Sequence, residues 1–237
     1  VDTILEISAR RTIFILAVIA LTLSVLGAMT LYMGLQASTG GFDPEALTGV
    51  QRLVNIAGEA NIPTWFKAAT LLLCAQLLFL ISVSQARNDA PYSRHWRDLG
   101  ILFLFLSMDE IATIHEEVGA EITAFLQTTG IFLYGWVIIG IVFVTAFVMV
   151  YAGFVRSLPR MPRYLFVLAG TIYVGGALGL KMVEGWYVDN YGEANIGIIL
   201  LITVKQFMQM SGVIVFLYAL LGYARHNVED PLVRIVQ

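Results

Sequence analysis

Four carboxylates and a histidine crowd into one short stretch, Ser107-Met108-Asp109-Glu110-Ile111-Ala112-Thr113-Ile114-His115-Glu116-Glu117, directly after the apolar run Ile101-Leu102-Phe103-Leu104-Phe105-Leu106. Ionisable groups are costly in lipid, so their presence there points to a working site. Three chemistries suit these residue types. Adjacent carboxylates below a histidine can hold and pass protons or bind a cation, because imidazole titrates near neutrality. Asp, Glu and His are also ligands for zinc or iron, and a metal-bound water could hydrolyse or oxidise a substrate. Finally, the acids could pair with the lysines of this chain, Asp109 or Glu116 with Lys181 or Lys205, and fix the order of helices in a scaffold or accessory subunit.

The elements that must position these groups are membrane helices. With 58% hydrophobic and 13% charged residues and a mean hydropathy of +0.79, the chain has too little polar surface to coat a soluble globule. The net charge of −3 and scattered basic residues give no footprint for nucleic acid. Six apolar runs can each cross a hydrocarbon core, which takes about 20 helical residues: residues 13–35, 65–83, 99–118, 131–154, 164–182 and 196–223. The first is too long for a cleavable signal peptide and lacks a small-x-small cleavage pattern. Arg10 and Arg11, Arg87, Arg94 and Arg97, Arg156, Arg160 and Arg163, and Arg225 and Arg234 fall on one side, against Arg52 and Lys67 on the other. By the positive-inside rule both termini are cytoplasmic. The expected fold is all-α, a single six-span transmembrane domain over residues 1–237, partnered by the lipid bilayer and by further copies of itself or a larger membrane complex.

Two local features refine this plan. Asp43-Pro44-Glu45 reads as a helix start, followed by Leu47, Val50, Leu53 and Val54 at helical spacing, so an amphipathic helix near residues 44–57 is expected on the outer surface. The pentapeptide Gly58-Glu59-Ala60-Asn61-Ile62 recurs as Gly192-Glu193-Ala194-Asn195-Ile196, each before an outside-to-inside run. Helices 1 and 2 therefore read as a duplicate of the hairpin of helices 5 and 6.

Helical rise converts sequence distance from the arginines into height. On that scale Asp109 and Glu110 stand at ~18 to 20 Å, His115 at ~27 Å, Lys181 at ~27 Å, Glu184 at ~31 Å, Gln209 at ~24 Å and Lys205 at ~30 Å. The candidate ion- or proton-binding residues are thus Asp109, Glu110, His115, Glu116, Lys181, Glu184, Lys205 and Gln209, lining a vestibule open to the outside. In a continuous helix Asp109 and Glu116 share a stripe while His115 faces away from Glu110, so a metal would need Asp109, Glu116, His115 and Glu184 from more than one helix. Lys205 matches Lys67 in the repeat and is expected to snorkel at the outer interface, which argues against a retinal-bearing lysine. Gly175 and Gly179 form a small-xxx-small face. Trp65, Tyr134, Trp136, Trp186, Tyr187 and Tyr191 form an aromatic belt. No cofactor is expected, and no catalytic residue is assigned.

The run Leu106-Ser107-Met108-Asp109-Glu110 to Ile114-His115-Glu116, the glycine-rich Gly175-Gly176-Ala177-Leu178-Gly179 and the aromatic-basic end of the last helix resemble a family of uncharacterised bacterial multipass membrane proteins over helices 3 to 6. The resemblance implies a fold, a shared Ser-x-Asp-Glu…His-Glu motif and a bacterial inner membrane, with no activity attached. It also implies acidic residues around the positions of Lys181, Lys205 and Gln206. The residues here depart from that acidic pattern, which counts against a metal.

Overall fold

The structure, a computed structural model, describes residues 5–37, 49–228 and 233–236. Within them the chain is helical apart from two short strands, β1 (Leu5–Ser8) and β2 (Val233–Val236), which pair in parallel and bring the two ends together. The helices are α1 (Ala9–Ala37), α2 (Gly49–Val54), α3 (Ile62–Arg87), α4 (Ser93–Ala112), α5 (Ile114–Leu126), α6 (Trp136–Ser157), α7 (Arg160–Val174), α8 (Lys181–Tyr191) and α9 (Ile196–Asn227). A 3₁₀ turn, Gly130–Phe132, precedes α6, and a π-helical turn, Gly175–Leu180, joins α7 to α8 as one rod.

Five of these are long and apolar enough to cross a membrane: α1, α3, α6, the α7–α8 rod and α9. Their outward faces carry large apolar side chains such as Phe14, Val18, Met29, Val142, Phe143 and Met149, a surface suited to lipid rather than water. α9 is the axis of the bundle; α1, α3 and α7 all pack along it. Its two ends join two apolar cores. At one end Trp96, Phe154, Phe166 and Tyr223 close together, with the Trp96 ring 4.6 Å from Tyr223 and 4.9 Å from Phe154. At the other Leu31, Ile56, Phe66, Ile198 and Ile199 meet.

The run expected over 99–118 is not one helix. α4 stops at Ala112, and α5 starts at Ile114 after Thr113, which has φ 53°. That left-handed geometry is uncommon for any residue with a side chain and costly for a β-branched one. Thr113 ends one helix by donating its N–H to Asp109 O at 2.7 Å and begins the next by accepting from Glu116 and Glu117. The stripe shared by Asp109 and Glu116 in an unbroken helix is therefore lost.

The repeated pentapeptide has one local job at both places. Asn61 and Asn195 each cap a helix, accepting from Thr64 N at 2.9 Å and Ile198 N at 3.1 Å, the bond that an N-cap side chain supplies to an orphan backbone donor. The hairpin packing that a duplication would repeat is present for α7 on α9 and slight for α1 on α3. Of the amphipathic helix near 44–57, Gly49–Val54 is helical; Asp43, Pro44, Glu45 and Leu47 lie outside the described residues. Cys74 is buried in the core.

The glycine seam also differs from expectation. A Cβ on Gly179 would meet nothing within 4 Å, and one on Gly175 only Met208 Cε at 3.4 Å. The close approach is at Gly176, where a Cβ would lie 3.0 Å from Lys205 O and 3.0 Å from Met208 Cβ, and at Gly212, where it would lie 2.8 Å from Tyr173 N. The π turn explains the difference, because inserting a wider turn rotates the face that a regular i, i+4 count predicts.

Candidate functional site

The polar groups form three constellations toward the end of the bundle opposite the paired strands. In the first, Lys67 on α3 is buried and ion-paired with Glu110 on α4. The same ammonium donates to Gln206 Oε1 at 2.8 Å and Gln209 Oε1 at 3.5 Å on α9, so one cation ties three helices. Ser107 Oγ, also buried, donates to Ala68 O at 2.8 Å beside it.

In the second, the helix break at Thr113 turns His115 back onto Asp109. The carboxylate lies 2.7 Å from Nδ1 through Oδ2 and accepts the His115 backbone N–H at 2.8 Å through Oδ1. Asp109 thereby caps the first turn of α5, which its own N-cap residue Thr113 does not do with its side chain. The imidazole meets the Trp136 ring edge-on at 5.0 Å. Burial disfavours charge on His115; the Asp109 hydrogen bond and attraction, aided by Glu116 and Glu110, outweigh it and raise its titration above the ordinary value. Glu59, on the connection into α3, has its carboxyl held above the usual range chiefly by desolvation, against the pull of Lys67.

In the third, Glu184 on α8 is shared by two lysines, Lys181 at 2.8 Å and Lys205 of α9 at 2.5 Å. Lys181 also sits 3.5 Å from the centre of the Tyr134 ring, a cation–π contact that helps hold a dehydrated ammonium. Desolvation, then the Glu184 charge, pushes the Tyr134 phenol well up, so it stays a donor. A cavity of about 240 Å³ opens beside this group between α1, α8 and α9.

Several expectations are corrected here. Lys205 does not snorkel to the interface; it is 7% exposed and Lys67 6%, and both are held by carboxylates within the bundle. Asp109 and Glu116 do not pair with Lys181 or Lys205: Asp109 takes His115, Glu110 takes Lys67, and Glu184 takes both other lysines. Trp136, expected in the aromatic belt, packs on His115 and Gly119. Of the four residues named for a metal, Asp109 and His115 touch, Glu116 is exposed and Glu184 belongs to the lysine group. Among the described residues no three His, Cys, Asp or Glu side chains converge as a metal shell would.

The height argument did not take in Lys67, and the arginines do not share a level. Ser82 Oγ bonds Ser93 O, and fourteen residues further along each helix Ser107 bonds Ala68 O. These two rungs fix the register of α3 against α4. Arg87 lies past the first rung on one side and Arg97 past it on the other, which separates them by about 13 Å of helical rise. Corrected for that offset, Lys67 and Glu110 are neighbours.

Fold and surface define the class, an all-α polytopic membrane protein with a polar layer in an apolar bundle. The chain belongs to the family described as a domain of unknown function, DUF8692, whose model matches residues 11–223. No curated protein and no solved structure matches it.

Proposed function

We propose that the protein crosses a bacterial inner membrane six times with both termini cytoplasmic, and that its outer layer binds protons or cations from the outside without passing them through. The pairing of β1 with β2 supports an even number of crossings between them, with α4 as the sixth: it runs from Trp96 in one core to Ser107 and Glu110 at the opposite end. The ends of α4 hold Arg94, Arg97, Asp98, Asp109 and Glu110, which makes it poorer in apolar residues than the other five. The arginine bias supports the orientation.

The observation that carries the binding reading is the Asp109–His115 couple at the helix break, only partly buried and rimmed by Glu59 and Glu116. Below it Leu71, Cys74, Leu78, Trp96, Phe103 and Phe216 fill the bundle with apolar packing, which offers no stepping stones for an ion. In proteoliposomes under an imposed pH gradient, proton entry should match that of protein-free vesicles, while acid titration of the purified protein shows uptake that Asp109→Asn and His115→Gln remove. Proton entry that Glu110→Gln abolishes would make the protein a conduit instead.

A second reading, an accessory subunit cross-linked by its charges, is favoured by one observation. Among the described residues every buried side-chain polar atom has a hydrogen-bond partner, so the layer is complete as a structural device. Co-purification of a larger complex together with no proton uptake would select this reading.

A further inference from the structure

The cavity beside Glu184 is amphiphilic in a graded way. Leu31 and Leu35 of α1 and Ile198, Ile199 and Ile202 of α9 form an apolar wall; Lys181, Glu184 and Tyr134 form the inner polar end; Glu193 and Asn195 lie on the loop between α8 and α9. Charge is not balanced along this axis. At the inner end one carboxylate serves two ammonium groups, leaving one positive charge over. At the outer end Glu193, exposed, supplies a negative charge. Of the three donors on the Lys181 ammonium, Glu184 takes one and the Tyr134 ring faces another.

A ligand matching this order has an anionic group placed deeper than an ammonium, with hydrocarbon beside it. The volume of about 240 Å³ is below that of drug-sized pockets and suits a head group with its first carbons. We infer that the cavity is a binding site for the head group of an aminophospholipid of the outer leaflet, its phosphate on Lys181 and its primary ammonium on Glu193, with acyl carbon along the α1–α9 wall. The site is separate from the Asp109–His115 couple and does not rest on proton binding there.

The test titrates detergent-solubilised full-length protein with short-chain phosphatidylethanolamine, phosphatidylcholine, phosphatidylglycerol and glycerophosphoethanolamine, reading thermal stabilisation as apparent affinity. Phosphatidylethanolamine should bind tightest, because the choline head cannot donate a hydrogen bond to Glu193 and the glycerol head carries no positive charge. Glu193→Gln, at an exposed position outside the helices, should lower phosphatidylethanolamine affinity about tenfold, the worth of one charge-assisted hydrogen bond, and leave phosphatidylglycerol unchanged or tighter. Lys181→Met should weaken both lipids. Equal stabilisation by all three lipids, or a preference that survives Glu193→Gln, would overturn the assignment. Glycerophosphoethanolamine binding as tightly as the lipid would also overturn it, in favour of a water-soluble zwitterion.

Discussion

Lys67 and Lys205 are a matched pair of probes. They are the same residue type, buried to 6% and 7% exposure in the same polar layer, and each meets a carboxylate on another helix. They differ in charge count. Glu110 has Lys67 as its one ion-pair partner among the described residues, whereas Glu184 keeps Lys181 when Lys205 is removed. Deleting one member of a buried pair strands the other and costs about 3–5 kcal/mol, while removing the second of two ammonium groups on one carboxylate leaves every remaining charge of that group paired. Lys67→Met should therefore destabilise the protein by about 3 kcal/mol or more, allowing for some re-solvation in the membrane, and Lys205→Met by less than about 1 kcal/mol. Reversible unfolding in mixed micelles, followed by circular dichroism, measures both. Glu184→Gln strands two ammonium groups and should be the worst single change, partly rescued by adding Lys205→Met. Equal losses for the two lysine variants, or a larger loss at Lys205, would refute the charge count.

Three further outcomes follow from local geometry. Gly176→Ala should destabilise the packing of the π turn on α9 and perturb Lys205, since the new methyl meets Lys205 O and Met208 Cβ at 3.0 Å, while Gly179→Ala, with nothing within 4 Å, should be silent; unfolding midpoints separate them. Asn61→Ala and Asn195→Ala should each cost about 1 kcal/mol as lost N-caps. Thr113→Gly should match or exceed wild-type stability, because strain at φ 53° is relieved, whereas Asp109→Asn should weaken the start of α5 and raise its amide exchange.

Five of the six apolar runs and their order were legible in the sequence, because hydropathy over twenty residues is a strong signal. The break at Thr113 was not legible. A left-handed residue is ordinarily announced by Gly or Asn, and here it accompanies bonds that close across the break, His115 donating its backbone N–H to Asp109 and meeting the same carboxylate with its ring. The pairing scheme was missed for a related reason. Arginines mark the side of the membrane and not a plane, so heights counted from Arg97 do not carry over to α3, and Lys67 was left out of the candidate residues. The pentapeptide repeat was visible as a string, and its local meaning, two asparagine N-caps, needed the backbone.

The central claim is that the outer layer is reached from one side only, and the His115–Trp136 contact reports on it directly. A protonated imidazole against the indole edge quenches its emission, so the difference in fluorescence between wild type and Trp136→Phe reads the charge on His115. In oriented proteoliposomes this signal should fall as the outer pH drops through a midpoint above the ordinary histidine value of about 6.5. The sign follows from linkage: a histidine whose folded value is raised lends its stabilisation below about pH 6.5 and loses it as pH rises through the raised value. The response should vanish in His115→Gln and move to lower pH in Asp109→Asn. Acidifying the lumen alone should leave the emission unchanged; an equal response to lumenal acid would contradict a layer sealed from the cytoplasmic side.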